Sequence, residues 1–186
     1  MRDLNRMVRR VVFSLALTWV PAGFCAEETW LLIDTTARTL SVMQGEAAVR
    51  VFENMSIGRS GATTQKIRGD QKTPLGTFRV SRIKLDSIYH RFIGIDYPDL
   101  AYTGKALESG LIGEADYAAI RSAHEKGIEP PASTPLGGFI GIHGIGEGDP
   151  AIHEAFNWTE GCVALTNEEV EELLQWVELH MVVLIL

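Results

Sequence analysis

Cysteine is nearly absent from this chain. Cys25 and Cys162 are the only two in 186 residues, so no disulfide framework can hold the fold together. No Cys-x-x-Cys pair exists, which removes the usual zinc knuckle. The apolar run near the start extends only from Val11 to Val20, against the roughly 20 residues that a membrane helix needs. Basic charge is also scarce, with 17 Lys and Arg against 24 Asp and Glu and a net charge of −7. Nucleic-acid binding needs clustered cations, so that class of partner is excluded. Internal repeats, low-complexity tracts and linkers are missing after residue 27.

The N-terminus has a composition of its own. Arg2, Arg6, Arg9 and Arg10 precede the apolar run, and Pro21-Ala-Gly-Phe-Cys-Ala follows it. A basic start, a short apolar stretch and small residues form an export signal, so residues 1–26 are expected to direct the chain to the periplasm or cell envelope. The other reading is an uncleaved N-terminal anchor. Residues 1–26 hold four Arg and one Asp; residues 27–186 carry 13 basic and 23 acidic side chains, for a net charge of −10. Cys162 then has no partner in the exported domain, residues 27–186, although export usually favours disulfides.

The remainder reads as one mainly β domain. Trp30–Asp34 and Thr39–Met43 have strand character, with a turn between them, and Ala47 to Ile57 reads as a longer strand ending at Gly58. Pro74 and Gly76 set a tight turn before a strand that starts at Phe78 and Val80. Residues 86–112 show no clear period and read as loop with short strands. Glu114 to Lys126 has Tyr117, Ile120 and His124 at helical spacing and Gly127 as a stop. Leu136 to His143 reads as a strand, and Asp149–Glu154 as a solvated acidic loop. Thr166 with Glu169 forms a capping box, and Val170, Leu173, Leu174 and Val177 make an apolar stripe behind it. Met181 to Leu186 is expected as a buried terminal strand. Short strands at this spacing predict a stack of β-sheets, a sandwich with one helix in the 114–126 region and a C-terminal helix before the last strand. The weakly periodic 86–135 region is a candidate lid.

His143 and Cys162 sit in a Gly-rich frame, in Gly141-Ile-His143-Gly144 and Thr159-Glu160-Gly161-Cys162. A thiol attacks as thiolate, and an imidazole within reach can take its proton. Gly161 permits close approach of a substrate to the backbone, where the amides of Gly161 and Cys162 can face a developing oxyanion. The Gly144 carbonyl can fix the His143 tautomer through Nδ1. The competing reading is a buried, inert thiol. His153 with His143 and Cys162 lacks the spacing of a metal site, so no metal or cofactor is expected. His90 and His124 read as surface or half-buried residues. Trp158 is either a core anchor or a wall of the cleft.

With both motifs in view, the chain resembles the L,D-transpeptidase catalytic domain family (YkuD-like), exported bacterial cell-wall enzymes. The family pattern is His, fourteen to seventeen residues, then Ser or Thr, any residue, Gly, Cys; His143 and Thr159-Glu160-Gly161-Cys162 fit it. Gly69-Asp70-Gln-Lys72-Thr73-Pro74-Leu-Gly76, Tyr97-Pro98 and Leu136-Gly137-Gly138 fit as well. The resemblance covers about residues 29–186. It implies a nucleophile, Cys162, activated by His143, acting on peptidoglycan stem peptides through a thioester, with Thr159, Gly161 and Gly144 shaping the pocket. An amine of another stem, or of a wall-anchored protein, would resolve the thioester. Hydrolysis of the same bond, as an L,D-carboxypeptidase or amidase, and a non-catalytic wall-binding domain are the alternatives. Many members carry His before the motif Gly and Arg two residues past the Cys, where this chain has Glu160 and Ala164. Arg59, Arg68, Lys72 and Lys105 are candidates for the displaced cation, and Arg59 and Trp158 for substrate contacts.

Overall fold

A computed structural model describes residues 28–186; the expected export signal lies outside the described residues. The chain opens with three strands joined by tight turns: β1 (Thr29–Asp34), β2 (Thr39–Gln44) and β3 (Ala47–Phe52). Two short strands, β4 (Ala62–Thr63) and β5 (Thr73–Pro74), pair with each other. They bracket the polar loop that leads into the long β6 (Gly76–Ser87), and β7 (His90–Ile95) returns antiparallel to it. Two helices follow, α1 (Leu100–Glu108) and α2 (Glu114–Glu125), then β8 (Gly141–His143), α3 (Pro150–Ala155), β9 (Val163–Ala164), α4 (Asn167–Leu173) and β10 (Val182–Ile185). Among the described residues no helix is long and apolar enough to cross a membrane.

Eight strands form one continuous ladder, in the order β3-β2-β1-β10-β6-β7-β8-β9. The terminal strand is central: β10 inserts between β1, in parallel, and β6, antiparallel. Its Val183 and Ile185 are buried, which explains why the chain ends in so apolar a run. One row of buried side chains crosses four strands, Val42 against Leu31, Leu31 against Val183, Val183 against Phe78. Full burial of each such side chain contributes roughly 1.5–3 kcal/mol.

β6 is the corner of the structure. Its first residues pair with β10 and its later ones with β7, and the register shifts between Val80 and Arg82. A bulge there bends the strand from one layer into the next. The far edges are also joined, because Ser56 exchanges backbone hydrogen bonds with Ala164 at 2.9 and 2.7 Å, and Gly58 bridges Thr159. The core thus lies between two layers that share β6 and meet again at β9, in keeping with the mainly β expectation.

Several local expectations change. The strand expected over Ala47–Ile57 is interrupted after Phe52 and resumes only as isolated bridges at Ser56 and Gly58. Within 86–112, expected as loop with short strands, β7 and α1 appear. Asp99 caps α1 by accepting from the Tyr102 amide at 2.9 Å, and this cap was the overlooked signal. The strand expected over 136–143 is confined to β8, and the acidic 149–154 loop is the short helix α3, capped by Asp149 with Pro150 in its first turn. The C-terminal helix ends at Leu173.

The capping box at the start of α4 is complete: the Glu169 amide donates to Thr166 Oγ1 at 3.2 Å, and Glu169 Oε2 accepts from the Thr166 amide at 2.9 Å. This cap sets the helix whose Val170 and Leu173 enter the core. Thr166→Ala should lower the unfolding free energy by about 1 kcal/mol, and Thr166→Ser by only a few tenths. Urea unfolding of the three proteins side by side measures the difference.

Candidate active site

His143 ends β8 and Cys162 lies immediately before β9. The two strands run parallel, with Ile142 opposite Val163 and His143 opposite Ala164. This register brings the two side chains to one cleft of about 850 Å³. The neighbouring turn is held by Thr159. Its hydroxyl donates to the Cys162 carbonyl at 2.6 Å and accepts from the Gly161 amide at 3.1 Å. Thr159 is buried at the wall of the cleft, and these two bonds make its hydroxyl a brace for the loop that carries Cys162. The Gly161 amide is likewise engaged, which differs from the expected pair of oxyanion donors. The Cys162 amide stays without a partner among the described residues.

Gly161 has a physical reason to be glycine. Its φ is +133°, and a Cβ there would lie 2.6 Å from the Lys72 carbonyl oxygen and 2.9 Å from Lys66 Nζ. Gly144 is crowded as well: a Cβ would meet Asn167 Oδ1 at 2.5 Å and the Tyr89 carbonyl at 2.9 Å. Asn167, the first residue of α4, in turn grips Gly146, accepting from its amide at 2.9 Å and donating to its carbonyl at 2.8 Å.

His143 is buried in an aromatic box. Tyr89 stacks on it at 4.3 Å, Phe92 lies nearly parallel at 6.2 Å, and Trp158 presents its edge at 5.8 Å. Nδ1 is 2.7 Å from the Gly144 carbonyl oxygen. A carbonyl only accepts, so Nδ1 carries the proton and Nε2 keeps its lone pair. Burial pushes His143 down to about 4, against a weaker upward pull from the Gly144 carbonyl. Burial pushes the half-buried Cys162 thiol up to about 11, opposed by the Gly141 backbone and by Lys66. Both shifts favour a neutral pair, thiol and imidazole, in the empty cleft. Cys162 Sγ lies 3.5 Å from the Phe139 carbonyl.

Trp158 is a wall of the cleft and a link to α3. Its Nε1 donates to His153 Nδ1 at 3.3 Å. His153 is buried and held in this way, and no group of three His, Cys, Asp or Glu side chains among the described residues is placed to hold a metal. His124 is half-buried against Asp96 and the Pro98 carbonyl, and His90 pairs with Glu171.

The cleft is cationic in an acidic protein. Arg59, Lys66, Arg68, Arg82 and Lys84 line it, with Glu160 the one acid among its lining residues. Arg59 pairs with Glu160 at 2.9 Å and Arg82 with Glu129 at 3.2 Å. Arg82 also sits over the rings of Phe92 and Phe139. Of the cations expected to replace an arginine at 164, Lys105 is misplaced: it lines a separate cleft beside α1. Lys72 contributes its carbonyl beneath Gly161. Lys66, Arg82, Lys84 and Tyr89 were not singled out from the sequence. For Lys66 the available signal was an acid four residues on, Asp70, within the Gly-Asp segment.

Fold and cleft together define a mainly β domain with a histidine and a cysteine presented by neighbouring parallel strands. The family model of the YkuD L,D-transpeptidase catalytic domain matches residues 28–185. The chain belongs to that family. Among solved structures it is similar to the helical cell shape determining protein Pgp2 from Campylobacter jejuni, at 22% identity and a TM-score of 0.57, over 87% of this chain and 48% of that one. It is also similar to Bd1075 of Bdellovibrio bacteriovorus, at 20% identity and a TM-score of 0.53, over 89% and 50%. At these identities the likeness is one of fold. The chain spans about half the length of these two structures. No curated protein matches the sequence.

The depressed pKa of His143 has a consequence for stability. The folded value of about 4 lies below the ordinary 6.5, so the unfolded chain binds the extra proton between these limits. Stability is therefore whole above pH 6.5 and falls as pH drops toward 4, by at most about 3 kcal/mol from this residue. His143→Phe should flatten that part of the profile relative to wild type. Chemical unfolding at intervals between pH 4 and 7 makes the comparison.

Proposed function

We propose that the domain is a cysteine acyltransferase acting on peptidoglycan stem peptides, exported to the cell envelope, where it cross-links or remodels the wall. The observation that carries this reading is the Nδ1 bond of His143 to the Gly144 carbonyl, which leaves Nε2 as a base in the cleft of Cys162. In the first step Nε2 takes the thiol proton as sulfur bonds to the carbonyl carbon on the L-centre of the third stem residue. The Cys162 amide donates to the resulting oxyanion. The amide C–N bond then breaks, and the departing D-amino acid takes the proton back from His143. In the second step an acceptor amine adds to the thioester carbon and gives its proton to His143. The C–S bond breaks and the thiol is restored.

The neutral resting pair shapes this scheme. At pH 7 a thiol of pKa about 11 is ionised in about one molecule in ten thousand. Attack is therefore coupled to proton transfer, and a bound substrate must organise it. Water in place of the amine makes the same enzyme an L,D-carboxypeptidase. Ala164, fully buried where many relatives place an arginine, keeps that second reading in play. The Campylobacter protein is named for helical cell shape, and wall remodelling of either kind would serve such a role here.

Intact-mass analysis after incubation with a carbapenem should show one adduct on the wild type and none on Cys162→Ala; an adduct that persists in the variant rejects the nucleophile. Stem tetrapeptides incubated with and without an amine acceptor separate the outcomes, a cross-linked product indicating transfer and tripeptide alone indicating hydrolysis. Iodoacetamide should label Cys162 at a rate that still climbs from pH 9 to pH 11. A plateau below pH 8 would mean that the resting site holds an ion pair.

A further inference from the structure

Lys66 is the one buried cation of the cleft. It is 3% exposed, whereas the side chain of Arg59 is 47% exposed and that of Arg82 41%. Its position is fixed at both ends. The carbonyl of Lys66 accepts from the hydroxyls of Tyr97 at 2.7 Å and Tyr102 at 2.8 Å, two aromatic residues buried beneath the loop. At the other end Nζ donates to Asp70 Oδ1 at 2.7 Å. Asp70 is shared, because it also accepts from the amides of Ile67 at 2.9 Å and Lys72 at 3.0 Å. An ammonium has three N–H groups, and the bond to Asp70 uses one. The negative charge of Asp70 is thus spread over three donors, while Lys66 keeps donors to spare.

The ammonium also lies next to the chemistry. It stands 2.9 Å from where a Cβ on Gly161 would be. With neighbouring Cα atoms 3.8 Å apart, this puts Nζ within roughly 8 Å of the Cys162 Cα. A carboxylate on the residue that leaves would sit roughly 3–5 Å from the carbonyl carbon under attack. The reach of the two matches. A preformed cation loses little side-chain entropy on pairing, and its bond to a carboxylate is charge-assisted. The surrounding Arg59, Arg68, Arg82 and Lys84 favour an anionic ligand further.

We propose that Lys66 anchors the free C-terminal carboxylate of the leaving residue, so that the cleft selects peptides cut one residue from their end. The assignment rests on the acyl-transfer reading above and supplies its specificity. It also gives the crowding at Gly161 a purpose, since any side chain there would displace the lysine.

The test uses an inert background. In Cys162→Ala, calorimetry compares the stem tetrapeptide L-Ala-γ-D-Glu-diaminopimelate-D-Ala with the same peptide ending in a carboxamide. The acid should bind about tenfold more tightly than the amide, as expected for a charge-assisted pair. Adding Lys66→Met should bring the two within about twofold, and Lys66→Arg should recover part of the preference. Because Lys66→Met leaves the partly buried Asp70 without its ion-pair partner, Lys66→Met with Asp70→Asn serves as the second background, with thermal melts to confirm folding. Equal binding of acid and amide to Cys162→Ala, or a preference that survives loss of Lys66, overturns the anchor and leaves the acyl-transfer reading standing. Binding of neither peptide overturns both.

Discussion

The parallel pairing of β8 with β9 is the constraint on which the site depends. Antiparallel neighbours can be joined by two residues, but parallel neighbours need a crossover long enough to return the chain to its starting end. Here the crossover is the segment from Gly144 to Cys162, with α3 within it. The fifteen residues between His143 and Thr159 are therefore the length of a return path. The bridge from Ser56 to Ala164 supports β9 from its other side, so a strand of only two residues is held on both flanks. Asn167 then clips the start of the crossover at Gly146, and the single proton of Ser56 Oγ is shared between the His153 and Phe156 carbonyls at the end of α3.

Burial follows from that placement and sets the electrostatics. A histidine at the end of an interior strand, boxed by Tyr89, Phe92 and Trp158, keeps little contact with water beyond its edge on the cleft. Desolvation disfavours its charged form and disfavours the thiolate as well. The fold therefore stores a base and an acid in neutral form, kept ready by one backbone carbonyl. In the acyl transfer proposed above, negative charge developing on the substrate would meet the cations that line the cleft. An acidic protein with a basic cleft also concentrates anionic ligands at that one place.

The legibility of this chain in its sequence varied with how local each signal was. The Thr166 capping box, the helix at 114–125 and the first two strands rest on spacing within a few residues, and they stand where expected. α1 escaped notice because Tyr102, Thr103 and Gly104 are weak helix formers. Its stability comes from the Asp99 cap and from packing on α2, a tertiary effect. β8 contracted to three residues because Gly137 and Phe139 take up positive φ just before it. Within the site, the His–Cys spacing and the Gly144 contact could be read from neighbouring residues. The commitment of Thr159 and Gly161 to each other could not, since only the turn geometry decides where the hydroxyl points. Lys66 is the furthest case: it reaches the site through a loop some ninety-five residues away in sequence, brought there by β5 and by two tyrosines from the α1 region.

Ala164 shows what this separation means for reading sites by motif. In the described fold the residue is fully buried, with its backbone bonded to Ser56, and no cation occupies that position. If a motif were a fixed list of positions, the anionic end of a substrate would have lost its partner. A cleft is defined in space, however, and a charge can be delivered by any loop that reaches it. The loop carrying Lys66 comes up against Gly161, and the missing side chain there leaves it the room. An arginine on β9 and a lysine on the β4–β5 loop can thus be two solutions to one electrostatic requirement. Their difference lies in cost: a buried lysine held by an aspartate is rigid before any substrate arrives, whereas a cation on a flexible stem has to be ordered by the ligand it binds.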